Sequence, residues 1–144
     1  MSSAGLRIIR IVLQLALAGV FLYSAYSKFA DIYMWGEVLR SYDLLPDALI
    51  KPLAILIPMG ELLIGAGLLI PLTVRWAANG SALLSLFFAI LMVSKWGEVM
   101  PYGCGCFGPA EAKAVGFLDV GKDLLFLAMA GAILLLAKQT RTSR

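Results

Sequence analysis

Trp76-Ala-Ala-Asn-Gly-Ser-Ala-Leu-Leu-Ser-Leu-Phe-Phe-Ala-Ile-Leu-Met-Val-Ser94 contains no charged side chain. A hydrocarbon core of ~30 Å takes about 20 predominantly apolar residues to cross as a helix, and this stretch meets that requirement. It reads as a transmembrane helix, and three neighbours fall into register around it. Upstream, Pro52 to Val74 is apolar apart from one acid, Glu61. Nearer the N-terminus, an apolar stretch runs from Ile8 or Ile11 to about Phe29, with Gln14 its one polar interruption before Lys28. Downstream, the uncharged run Leu124 to Ala137 is too short alone. To cross, its helix must start near Phe117 and carry Asp119, Lys122 and Asp123 into or beside the membrane.

The expectation is an all-α, integral membrane four-helix bundle. It forms a single four-span domain over residues 1–144, with spans at about 8–29, 52–74, 76–95 and 117–137 and an outer loop at 96–116. Composition agrees: 61% of the 144 residues are hydrophobic and the mean hydropathy is +0.90, well beyond a soluble domain of about half apolar composition. The net charge of +3 and pI near 9.0 do not point to nucleic acid. The twelve Lys and Arg residues are scattered singly, without the basic cluster that phosphates require.

Four spans place both termini on one side, together with the turn Pro71-Leu-Thr-Val-Arg75. Each side carries six basic residues, so the positive-inside rule is tied by count. Lys28, Lys95 and Lys122 sit at or within span ends, which leaves three bases in the outer loops proper and favours cytoplasmic termini. On that assignment the protein lies in the cell's inner (plasma) membrane, with loop 96–116 facing the periplasm or exterior. Arg7 and Arg10 before an apolar run resemble a secretory signal, but no small-residue cleavage site leads into a soluble domain, and the segment is read as a retained helix. Ala77 with Ser81, and Ala128 with Ala132, have the spacing for close helix contact. The segment from Asp31 to Lys51 suits an interfacial helix. Trp35, Trp96 and Tyr102 read as headgroup anchors, or more sharply as rings against a bound quinone.

The chain's two cysteines, Cys104 and Cys106, lie in Tyr102-Gly-Cys-Gly-Cys-Phe-Gly-Pro109. A structural disulfide stabilises by closing a long loop, and a loop of one residue gains little. A bond across that spacing is strained, hence labile and oxidising. Dithiol-disulfide exchange is the leading reading, ahead of Cu(I) binding by soft thiolates and of thiols with no chemistry. There is no histidine, and two thiolates fall short of a structural zinc set, so no metal site is assigned.

Glu61 is the second informative residue. A carboxylate well inside a span is costly unless paired or protonated; Pro58 and Gly60 beside it loosen the helix hydrogen bonding. Its candidate partners are Lys28 and Lys122. Lys28, Glu61, Lys122 and Asp123 are expected either to lock the bundle as an ion-pair network, or to handle protons and lower the pKa of a nearby thiol.

Phe21-Leu-Tyr-Ser-Ala-Tyr-Ser-Lys28, Pro58-Met-Gly-Glu61 with Gly65 and Gly67, Cys104-Gly-Cys106-Phe-Gly108, and the pair Lys122-Asp123 together resemble the MauE/DoxX group of small four-helix membrane proteins. The resemblance spans nearly the whole chain. The last pair is commonly Arg-Asp, so Lys122 departs from the pattern, and a bidentate role does not carry over to it. The resemblance implies a redox-associated protein working with a periplasmic thioredoxin-like partner. In the MauE branch that work is linked to disulfide formation during maturation of a methylamine-oxidising enzyme. In the DoxX branch it is linked to thiosulfate, quinone and oxidative-stress chemistry, often without the cysteine pair. Having the pair places this chain nearer MauE.

The expected function is therefore a membrane thiol-disulfide oxidoreductase relaying a disulfide, or two electrons, between a thioredoxin-like partner and the membrane. Cys104 and Cys106 carry the exchange, with Lys28, Glu61, Lys122 and Asp123 supporting them. Repeated oxidation of partners needs an electron acceptor, for which a membrane quinone is the natural class. The alternatives are a Cu(I)-binding delivery protein and a non-catalytic membrane scaffold for a periplasmic redox partner.

Overall fold

A computed structural model describes the backbone of residues 3–142 and the side chains of residues 4–139. Five helices occur among the described residues: α1 (Ser3–Ala30), α2 (Ile32–Ser41), α3 (Asp47–Leu69), α4 (Val74–Ser94) and α5 (Phe117–Thr142). All except α2 are long and apolar enough to cross a membrane. The protein is an all-α membrane bundle with α1 packed chiefly on α3 and α4 on α5.

The second long helix differs from the expected 52–74. It begins at Asp47, directly after Pro46, and ends at Leu69, so Pro52 lies inside it and Val74 opens the next helix. The cause at the lower end is Pro71. The residue before a proline is driven out of the helical region, and Ile70 is extended at φ −98°, ψ 120°. At the upper end Asp47 lies in the first turn, where a negative charge favours the helix N-terminus.

α2 starts at its N-cap Asp31, whose carboxylate accepts from the Met34 N–H at 3.0 Å. It turns Trp35, Val38 and Leu39 inward. Trp35 is fully buried, which corrects its reading as a headgroup anchor; Trp96 is 54% exposed. The outer loop is a folded element. Val99–Met100 (β1) pairs antiparallel with Lys113–Ala114 (β2), and the cysteine turn closes the ribbon.

Two apolar clusters fill the interior. The upper one includes Trp35, Val38, Ile50, Ala54, Phe88, Met92, Met100 and Val120. The lower one includes Leu17, Phe21, Leu68, Val74, Ala78, Ala130 and Ile133. Between them along the helices lie the buried polar residues Ser24 and Lys28 (α1), Glu61 (α3), Ser81 and Ser85 (α4) and Asp123 (α5). Close approach of α1 and α3 rests on Gly65, where a Cβ would come within 2.7 Å of Leu22 Cγ. Ala77 and Ser81 are buried as their spacing suggests, but Ala128 is exposed and Ala130 takes the inward place on α5.

Candidate functional site

The turn that carries the cysteines folds down onto α1 and α2. Gly103, Gly105 and Gly108 all have positive φ, which an L side chain adopts only at a cost. At Gly105 the space is also closed, since a Cβ would lie 2.5 Å from Val38 Cγ1 and 2.7 Å from Trp35 Cζ3. The glycine between the cysteines is thus required both by the turn and by the α2 face beneath it.

Both cysteine carbonyls are held from below. Tyr42, at the end of α2, donates its hydroxyl to the Cys104 carbonyl at 2.6 Å. Burial pushes its phenol above the usual range, which keeps it a donor. The Cys106 carbonyl oxygen lies 2.6 Å from Ser24 Oγ and 2.8 Å from Lys28 Nζ. Lys28 has three N–H donors and acceptors for each: the Cys106 carbonyl, Ser24 Oγ at 2.6 Å and the Glu61 carboxylate, with Oε1 at 2.8 Å and Oε2 at 2.9 Å. Its ammonium also stands 5.0 Å from the Trp35 ring centre and 5.6 Å from that of Phe88. Fully buried, Lys28 is neutralised by Glu61, hydrogen-bonded through all three protons and faced by two aromatic rings.

The thiols are free and unlike. Cys104 is half-buried, and its sulfur lies 3.8 Å from Lys122 Nζ. Cys106 is buried, 3.7 Å from Asp123 Oδ2. A hydrogen bond from the Cys106 thiol holds Cys104 below the ordinary thiol range, at about 6; burial opposes this shift and the Lys122 charge assists it. Cys106 moves the other way. Donating to Cys104, burial and the Asp123 charge together push its pKa well up. Cys104 therefore carries the thiolate at neutral pH and Cys106 the proton.

Of the sequence candidates, Lys28 meets Glu61, while Lys122 does not. Lys122 turns to Cys104 and to the Asp119 carbonyl at 3.3 Å, and Asp123 turns to Cys106. The four-membered ion-pair network is thus two pieces joined through Cys106, whose carbonyl meets Lys28 and whose sulfur meets Asp123. Asp119 has a local role: it accepts from the Gly116 N–H at 3.1 Å and from Lys113 at 2.9 Å, capping the start of α5. Sequence reasoning missed Tyr42 and the inward place of Trp35, and it met Ser24 only inside a longer motif. Among the described residues no three His, Cys, Asp or Glu side chains group as a metal site.

Residues 6–136 match the family described as "Methylamine utilisation protein MauE". The chain belongs to the MauE family. MauE of Paracoccus denitrificans is 32% identical over 122 residues, covering 84% of this chain and 66% of the relative. MauE of Paracoccus versutus is 32% identical over 122 residues, covering 83% and 66%. MauE of Methylorubrum extorquens is 33% identical over 87 residues, covering 60% and 47%. This MauE-family chain thus spans just under two thirds of the length of the two Paracoccus proteins. No solved structure matches it.

Proposed function

We propose that this MauE-family protein is a membrane thiol-disulfide oxidoreductase in which Cys104 is the attacking, partner-facing thiol and Cys106 the resolving one. The observation that carries the reading is the asymmetry of the pair: a half-buried thiol 3.8 Å from a lysine ammonium, and one glycine away a buried thiol 3.7 Å from a carboxylate. Exchange runs through a thiolate. Here Cys104 attacks one sulfur of a partner disulfide and forms a mixed disulfide. Cys106 then attacks Cys104, closing the intramolecular bond and releasing the partner's second thiolate. The reverse sequence oxidises a reduced partner.

The partner class is a thioredoxin-like protein on the periplasmic or exterior face, with the protein's termini in the cytoplasm and its spans in the inner membrane. Lysine placement and the oxidising character of that compartment support this orientation. The names of the relatives connect them with methylamine utilisation; this chain's substrate protein is one of the same kind or another that needs disulfides placed. Turnover as an oxidase requires an electron acceptor in the membrane, and a quinone is the chemical class that fits. A cleft of about 350 Å³ with leucine, isoleucine and phenylalanine walls opens between α2, α3 and α4, and Tyr42, which holds the Cys104 carbonyl, also lines it. Leu39, Leu53, Phe87, Phe88 and Tyr42 would hold the ring there.

The test is stoichiometric transfer. The purified disulfide form, mixed with a reduced thioredoxin-fold protein, should yield one partner disulfide per chain and free Cys104 and Cys106. Replacing either cysteine by serine should abolish the transfer. No transfer, with near-stoichiometric copper retained by both thiols after purification under reducing conditions, contradicts the proposal and favours metal delivery. Neither transfer nor copper leaves the scaffold.

A further inference from the structure

Ser24, Glu61, Ser85, Cys106 and Asp123 bring polar groups to a void of about 20 Å³ otherwise walled by phenylalanine and valine. A site of roughly 10–15 Å³ of probe-occupied volume holds one water when polar partners surround it. Ser85 is 3% exposed, and its hydroxyl has no hydrogen-bond partner among the described residues. Ser85 lines the void, where its hydroxyl is free to bond a water. On one wall stands Glu61, tied to Lys28; on another stands Asp123, whose Oδ2 lies 3.7 Å from the Cys106 sulfur, so that the one S–H proton turns to it once Cys104 is no longer a thiolate acceptor in the mixed disulfide.

We infer that this void is a water site, and that the water, held by Ser85, joins Asp123 to Glu61 so that Asp123 exchanges a proton with Cys106 whenever the cysteine disulfide closes or opens. The inference rests on the thiol-exchange reading. When the disulfide closes, the Cys106 S–H bond breaks and its proton goes to the Asp123 carboxylate. As that proton leaves, the Cys106 sulfur bonds to Cys104 Sγ and the partner's sulfur leaves Cys104 as a thiolate, two electrons having passed from the pair to the partner's disulfide. When a partner thiolate instead attacks Cys104, the Cys104–Cys106 bond breaks and the Asp123 carboxyl returns the proton to the leaving Cys106 sulfur. The buried sulfur is never stranded as an unprotonated anion, and the proton need not cross the apolar wall.

The titratable and charged groups facing Cys106 are Asp123 and Lys122 from α5, Lys28 from α1, Glu61 from α3 across the void, Tyr42 after α2, and Cys104. Among the described residues, Asp123 alone of the carboxylates is within hydrogen-bond reach of its sulfur. α4 contributes the neutral Ser85. Asp123 is thus the direct proton partner, with Glu61 and Ser85 as positioning residues acting through the water.

Infrared difference spectroscopy of the purified protein in lipid, chemically oxidised minus reduced, reads this without any partner. Failure of partner exchange and failure of the proton path are therefore separable. The expected spectrum has a carboxylic-acid C=O band that appears on disulfide formation and is lost in Asp123→Asn. It also has an O–H band that moves in oxygen-18 water and is lost in Ser85→Val, which fills the void. The carboxylic band shifts in frequency in Glu61→Gln. No carboxylic band, a band that survives Asp123→Asn, or the absence of any oxygen-18-sensitive band overturns the inference. If the valine variant does not fold, Ser85→Ala must shift the water band, and an unmoved band overturns it equally. In Cys104→Ser the remaining S–H stretch should move to higher frequency when Asp123→Ala is added, because alanine leaves no side-chain acceptor; an unmoved stretch counts against the contact.

Discussion

Cys104 and Cys106 share one turn but face different surroundings, and the difference sets which proton leaves first. Cys104 is stabilised as a thiolate by the Cys106 thiol and by Lys122, so its alkylation should rise with pH around a midpoint near 6. Removing a cation next to an anion raises the anion's pKa. Lys122→Met should therefore move the midpoint up by about 1 pH unit, and Cys106→Ala should also move it up, because the donor is lost. A midpoint unmoved in both variants contradicts the arrangement. Lys28 and Glu61 make a second residue-scale prediction. Lys28→Met leaves a carboxylate buried without its cation and should cost about 3–5 kcal/mol of stability, read as a lowered Tm in detergent. Lys28→Met with Glu61→Met should recover most of that loss. It should still slow exchange, because the Cys106 carbonyl has lost a donor. The need of Glu61 for a cation was legible in sequence, since an acid in an apolar helix is too costly to leave alone. The turn of Lys122 toward Cys104 was not. Charges near a helix end have several reachable partners, and only the folded loop decides among them. Ser24 and Tyr42 carry no sequence signal of their own, because a hydroxyl bonded to a loop carbonyl follows no period.

At the scale of elements, the cysteine turn is fixed by glycine at positive φ and by the inward face of α2. Gly97 and Gly105 separate these causes, since both have positive φ but only Gly105 is closed in. Gly97→Ala should cost only the backbone penalty of about 1–2 kcal/mol and leave Cys104 alkylation unchanged. Gly105→Ala drives a methyl into Val38 and Trp35, and should both lower Tm further and return the Cys104 midpoint toward that of an ordinary thiol. Equal effects from the two variants would mean that α2 does not seat the turn. The apolar runs revealed the long helices because hydropathy over a membrane-length window is a strong signal. Their ends were less legible. Pro52 looked like a helix start, yet it lies inside α3, which runs through both Pro52 and Pro58, and the true stop is imposed at Ile70 by Pro71. Trp35 looked like an anchor because an interfacial tryptophan and a buried one have the same sequence neighbourhood. The inward stripe Trp35, Val38, Leu39 of α2 settles it.

For the whole molecule, the organising feature is a buried polar layer held between two apolar clusters, with the cysteine turn resting on it. Non-helical backbone near membrane depth is tolerated only where protein satisfies its polar groups. Tyr42, Ser24 and Lys28 do this for the two cysteine carbonyls. The outer surface of the spans is apolar, with Leu56, Leu63, Leu83, Ile90, Leu125 and Leu135 all at least half exposed, as lipid contact requires. A membrane-impermeant maleimide applied to intact cells should label Cys104, in keeping with a periplasmic or exterior turn. Labelling only after the membrane is permeabilised would reverse the orientation. The central claim is that Cys104 meets the partner and Cys106 resolves. Trapping on non-reducing gels with a thioredoxin-like partner tests it most directly. Cys106→Ser should accumulate a mixed disulfide through Cys104, and Cys104→Ser should accumulate little or none; adducts of equal yield from both, adducts through Cys106 alone, or none from either contradict the account.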